Sequence, residues 1–324
     1  MMILEIGSDF QKHNKENGKG LALPQNGSYV FSGRTAFDAV LNYEPKIESV
    51  LLPSYCCDSM LVPFKEKGIC IKFYDVNFDE KVNISITDSA DALVWCDYFG
   101  FHNDMPEYDG LVIEDITHSY LSVKQFHERS DFLVASLRKW EPILCGGYTS
   151  VNTDYPKPPE EFLKKKMYAM ELKNHYLETL NHDLKDRYLE LFKESNQWLA
   201  NHYSEISIDD YSLDYIKHVD IEKQRSIRRK NAFVLYEGLG DIVQFMFPED
   251  SMDCPLFVPI ILNGNRDYVR QHLIDNDIYC PVHWPHPEAN CESNLYDIEL
   301  SLICDQRYSE LDMERIVSVV KEAL

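Results

Sequence analysis

The chain has 324 residues, 44% of them hydrophobic and 12% aromatic, with a formal net charge of −22 at pH 7. That length supports a large core, and two domains rather than one, while the composition excludes a disordered polymer. The negative balance excludes nucleic acid as a partner, and no apolar run approaches the roughly 18 residues that would cross a membrane.

The N-terminal "MMILEIGSDFQKHNKENGKG" turns polar after a brief apolar start, unlike a secretory signal. Nine cysteines are scattered without a C-x-x-C pair, several inside apolar runs, as expected of reduced thiols. A cytoplasmic protein is the expectation.

From residue 28 onward, apolar runs alternate with helical patterns. Strands are predicted at 49–53, 69–76, 92–99, 111–115, 132–136 and 147–151, with helices at 34–43 and 58–68. Strands that are apolar throughout and separated by helices predict a doubly wound, mostly parallel sheet covered on both faces. After the prolines at 156–159 the chain becomes charged and helical to about residue 203. A helix is predicted at 218–238, then strands at 255–262, 278–282 and 298–304, with helices at 266–275 and 309–323. The expected division is a large α/β domain over 1–157, a helical connection over 158–203, and a small C-terminal α+β domain over 204–324.

In open parallel sheets, ligands bind beyond the carboxyl ends of the strands. Four places there carry chemistry. In "FSGRTAFDAV", Gly33, Arg34 and Thr35 open a helix, which is an anion site or an ordinary N-cap. Asp115 ends "LVIED", where a carboxylate must be paired, either with a structural partner or with a cationic ring nitrogen. His118 follows three residues later, as a companion ligand or a hydrogen-bonded structural histidine. Ser136 ends the next strand, and Lys139 follows it before the turn at Cys145, Gly146 and Gly147. A lysine in an apolar, cationic pocket has a lowered pKa and forms Schiff bases.

This ordered set resembles the fold-type-I pyridoxal-phosphate (PLP) enzymes, most closely the DegT/StrS-type sugar aminotransferases. "SGRTAFDAVL" is similar to the family's phosphate-binding helix start. "VLLPSYCCDSMLVPFKEKGICIKFYDV" is similar to its strand–helix–strand unit, and "YFGFHNDMPEYDGLVIEDITHS" to the glycine loop with the strand-end acid. "SDFLVASLRKWEPILCGGYTSV" is similar to the lysine loop. The resemblance implies pyridoxal 5'-phosphate as cofactor and Lys139 as its Schiff-base lysine. Asp115 would pair with the pyridinium nitrogen, and His118 would contact the ring's phenolic oxygen. Gly33, Arg34, Thr35 and Ser136 would hold the phosphate. Cys57 stands where the family stacks an aromatic on the ring, with Tyr55 two residues earlier. The gap from Ser136 to Lys139 is also shorter than in the family.

The implied activity is transfer of an amino group from a small amino donor to a keto acceptor, a keto sugar or another keto compound, by a homodimer. The alternatives are a PLP-dependent lyase or decarboxylase on the same fold, and a non-catalytic binding protein. His283, Trp284 and Arg307 are candidate substrate residues. "CPVHWPHPEANC" offers Cys280, His283, His286 and Cys291 as metal ligands, but the spacing matches no zinc pattern and no metal is expected.

Overall fold

The structure is a computed structural model that describes residues 5–24, 26–122, 124, 126–249, 253–287 and 291–324. In chain order its strands are β1 (Ile6–Gly7), β2 (Ser28–Val30), β3 (Ser49–Pro53), β4 (Cys70–Phe78), β5 (Val82–Ser85), β6 (Ala92–Cys96), β7 (Leu111–Asp115), β8 (Phe132–Ser136), β9 (Gly147–Thr149), β10 (Gln244–Phe245), β11 (Val258–Ile261), β12 (Ile278–Tyr279) and β13 (Glu299–Leu302). The helices are α1 (Gly33–Tyr43), α2 (Asp58–Glu66), α3 (Glu160–Thr179), α4 (His182–Asn201), α5 (Asp210–Lys217), α6 (Ile221–Leu239), α7 (Arg266–Asp275), α8 (Leu295–Ile298) and α9 (Glu310–Ala323). A single 3₁₀ turn, Leu137–Lys139, follows β8.

An eight-stranded sheet runs in the order β2-β9-β8-β7-β6-β3-β4-β5. The strands from β4 through β3, β6 and β7 to β8 are parallel, as the uninterrupted apolar runs predict. All five residues of β6 and four of five in β7 are buried, because helices cover both faces. The sheet's margins are antiparallel: β5 on β4 at one end, β9 on β8 and β2 on β9 at the other. β9 reverses because the chain returns after only a 3₁₀ turn and a short loop, too little for a parallel crossover. Its return needs Gly147, where a Cβ would stand 2.4 Å from the Ser32 carbonyl oxygen.

A second, antiparallel sheet joins β10, β11 and β13. The run at 278–282 forms only the two-residue β12, which pairs with β1 instead of joining that sheet. The charged stretch after residue 159 is an antiparallel pair, α3 packed on α4. It breaks at Leu180, whose φ of 56° is left-handed, and Asn181 caps α4 by accepting from Asp183 N–H. One cluster of buried side chains runs from Val50, Leu52 and Tyr55 to Tyr296, Leu300 and Leu302, so both sheets share a core. A second cluster, with Phe31, Leu137, Trp140 and Ile143, underlies the turn that carries Lys139.

Candidate active site

The carboxyl ends of β3, β6, β7 and β8 open on one cavity of about 220 Å³. Gly33, Arg34, Tyr55, Cys57, Asp115 and His118 line it, together with Ser136, Lys139 and Trp284. These candidates come from five separate stretches of chain; four of them follow strands of the large sheet that run in the same direction, and Trp284 comes from the chain after β12.

The start of α1 forms one wall. Ser32 caps the helix by accepting from Thr35 N–H at 3.3 Å. The Thr35 hydroxyl donates to the Tyr203 carbonyl at 2.6 Å, so this side chain is engaged away from the cavity. Gly33 lets the helix approach β8, since a Cβ there would stand 3.1 Å from the Ser136 Cβ. Arg34 has no carboxylate partner among the described residues, and its buried Nε meets no acceptor. Burial pushes its pKa down, opposed by the charges of Cys57, Tyr203 and Glu66.

Asp115 ends β7 beside Cys96 of β6. Its Oδ1 accepts from the Thr117 backbone N–H at 2.9 Å and from the Thr117 hydroxyl. Thr117 in turn accepts from Ser136 N–H at 2.9 Å, and its carbonyl accepts from Trp140 Nε1 at 2.6 Å. Thr117 therefore ties the acid to the lysine turn, a role the sequence reading missed. Burial raises the Asp115 pKa to about 6, against the opposing hydrogen bonds from Thr117. His118 Nδ1 accepts from Phe99 N–H at 3.1 Å, which leaves the ring's proton on Nε2. Burial, helped by the charge of Lys139, depresses its pKa to about 3. It is a neutral donor at every physiological pH.

Lys139 lies exposed on the open cavity, with protein packed closely around it. Loss of hydration pushes its pKa down and Arg138 adds to that, while the Cys57, Asp9 and Asp115 charges oppose it. No carboxylate among the described residues forms a salt bridge with Lys139, Arg138 or Arg34. In a chain of net charge −22, that leaves three basic side chains without a carboxylate partner on one cavity.

Tyr55 is fully buried, and its hydroxyl donates to Glu299 at 3.3 Å. Cys57 stands at the N-cap position of α2 on the cavity wall, with its Sγ 2.9 Å from the Ser59 hydroxyl and no side-chain hydrogen bond to the helix backbone. Trp284 stacks over His118, with ring centroids 5.9 Å apart, and meets Tyr55 at 4.9 Å. His283 lies behind it, buried, with Nδ1 2.9 Å from the Ser301 hydroxyl, and it lines a neighbouring cavity. Arg307 is held by Asp305 through two hydrogen bonds, at 2.9 and 2.8 Å, over the ring of Phe10. The four candidate metal ligands of the 280–291 loop do not gather among the described residues. Cys280 is buried, His283 meets Ser301 and His286 pairs with Asp297 at 3.0 Å, while residues 288–290 lie outside the description. The described residues that do form a metal-capable group are Asp97, His102 and His127. No sequence pattern marked those three.

No protein-family model and no curated protein matches the chain. Solved structures do. An aminotransferase from Brucella abortus described as DegT DnrJ EryC1 StrS superposes with a TM-score of 0.58 at 15% identity, over 91% of this chain and 85% of that one. The sugar aminotransferase CalS13 from Micromonospora echinospora gives 0.61 at 15% identity, over 92% and 88%. Spr1654 from Streptococcus pneumoniae, in its PLP form, gives 0.61 at 11% identity, over 92% and 88%. The chain therefore has the fold of these aminotransferase structures.

Proposed function

We propose that the protein is a PLP-dependent aminotransferase that moves an amino group from a small amino donor to a keto acceptor, with Lys139 as its reactive amine. The observation that carries this reading is the convergence of Lys139, Asp115 and the start of α1, with Arg34, on one cavity. The CalS13 and Spr1654 likenesses support it and point to a keto sugar as the acceptor.

The residues present fit the cofactor. The Gly33–Ser136 approach leaves room at the helix start for a phosphate, and the buried, unpartnered Nε belongs to the arginine beside it. Gly33, Arg34 and Ser136 would hold that phosphate. Thr35 is assigned to the helix cap and its packing. Pyridoxal phosphate, when bound, supplies an electron sink for the carbon that bears the donor's amine.

The chain's own residues do the rest. Asp115 holds negative charge where a ring nitrogen must stay protonated, and Thr117 fixes its orientation. His118 presents an Nε2 proton that cannot be lost or doubled near neutrality. Lys139, with its pKa lowered, would hold the cofactor through Nζ and, once displaced by the donor's amine, would take the donor's α-proton onto that atom. Tyr55 and Trp284 narrow the cavity and exclude water.

A homodimer in the cytoplasm completes the proposal. The nine cysteines are free thiols, which suits a reducing compartment. No helix among the described residues is long and apolar enough to cross a membrane. The test loads the protein with PLP and adds amino acids one at a time, glutamate and glutamine first. Recovery of the cofactor as pyridoxamine phosphate after acid release, reversed by a keto acceptor, is the expected result. Release of ammonia or carbon dioxide with the cofactor unchanged would assign a lyase instead.

A further inference from the structure

A second cavity, of about 440 Å³, adjoins the first and shares Arg34, Arg138 and Lys139 with it. Lys139 thus stands between two compartments, one floored by Asp115 and one bounded by the N-terminal segment, α4 and the chain after β12. The second is the larger, and its charges are unequally engaged. Arg307 is fully held by Asp305. Arg228 donates through Nη1 to the carbonyls of Pro255 and Leu256 and lies 4.5 Å over the Trp140 ring, while its Nε and Nη2 are buried without an acceptor. Arg138 differs from both. Like Arg228 it has no ion pair and a buried Nε without an acceptor, but its guanidinium makes no hydrogen bond with the described residues, and its own turn places it beside Lys139.

Facing it is Asp9, an exposed carboxylate on the segment after β1, without an ion pair or side-chain hydrogen bond among the described residues. The charge of Asp9 acts on Arg138, Lys139 and the buried Lys166 together, and Asp9 lines the same cavity as the first two. Yet it does not close on any of them. An arginine fork prefers two parallel hydrogen bonds to one oxyanion group, and an unengaged fork in a largely desolvated place favours such a ligand strongly.

We infer that the second cavity receives an anionic oxygen group of the substrate, a carboxylate or a phosphate, on the guanidinium of Arg138, with Asp9 as the opposing charge. Arg138 is then a specificity-determining residue, and the reactive end of the same substrate lies at Lys139. A neutral substrate would leave the fork unmatched. The word substrate rests on the functional reading above, but the anion site itself does not.

The test is calorimetric titration of the PLP-loaded protein with succinate and, separately, with inorganic pyrophosphate. The parent should bind one in preference, which distinguishes a carboxylate from a phosphate source. Arg138→Gln should weaken that binding about tenfold or more while the visible absorbance of bound cofactor is retained. Arg138→Lys, which keeps the charge but not the fork, should fall between. Asp9→Asn, at an exposed position, should shift the affinity in the opposite direction and tighten binding. Unchanged affinity in Arg138→Gln would overturn the inference, as would loss of the cofactor in that variant, since Arg138 would then belong to the cofactor phosphate. Failure of the parent to bind either anion would overturn it too. A parent that takes up no PLP would sink the functional reading alone, because the same titrations on that protein still decide the role of Arg138.

Discussion

Asp115 and His118 stand three residues apart, and the same burial drives them in opposite directions. Asp115 titrates near 6 in the folded chain against 3.8 for an unperturbed carboxyl, so the fold favours its protonated form. That stability is fully present below the unfolded value and is lost as pH rises through about 6, a change of roughly 3 kcal/mol. His118 is the reverse case, depressed from 6.5 to about 3. Its contribution is present above the unfolded value and is lost as pH falls toward about 3. Asp115→Asn, in protein stripped of cofactor, should therefore gain stability over the parent as pH rises from about 4 to about 6. Urea unfolding at stepped pH measures this, and a difference that does not change with pH would contradict the burial argument. In the loaded enzyme the same variant keeps the shape and loses the charge. Turnover should drop about a hundredfold or more with the cofactor still bound. At this scale the sequence showed Asp115 and Lys139, whose residue types carry chemistry at strand ends. It did not show Thr117 or Arg138, because their importance lies in which neighbours they meet or fail to meet.

The strands that position the site were legible where burial on both faces leaves an unbroken apolar run, as in β3, β6, β7 and β8. Their parallel direction was legible in those runs, but the reversal at β9 was not, because it depends on the short return after the 3₁₀ turn. Two-residue strands such as β1 and β12 exist only through their mutual pairing, which no local pattern encodes. The start of α1 was legible as a glycine at a helix entrance, but its contact with β8 was not. That contact can be probed directly. Gly33→Ala places a methyl group 3.1 Å from the Ser136 Cβ, so the helix start or the strand end must shift by a few tenths of an ångström. Cofactor affinity should weaken by about tenfold, or ~1.4 kcal/mol, with helix content unchanged. Equal affinity for PLP in spectral titration would remove the helix start from the phosphate site.

Over the whole molecule, one core joins the two sheets, so the cavity walls from Tyr55 and Trp284 meet across the chain's two ends. We propose the division at 1–157, 158–203 and 204–324 as the way the chain opens, with limited proteolysis expected to cut first near 156–159. The proposed homodimer should hold its mass by light scattering across a hundredfold dilution, and a fully active monomer would contradict it. The central claim, however, concerns one amine among several whose pKa is lowered. Lys166 and Lys173 are buried, with pKa values lowered by burial to about 8 and about 7, so a low pKa alone does not select Lys139. Position does, because among these three lysines only Lys139 lines the same cavity as Asp115 and the start of α1. Borohydride reduction of the PLP-loaded protein, followed by peptide mapping, decides the matter. The account predicts the reduced cofactor on Lys139, in the peptide that contains Trp140. Label on Lys166, Lys173 or any other lysine, or no label on a protein that has taken up the cofactor, would contradict it.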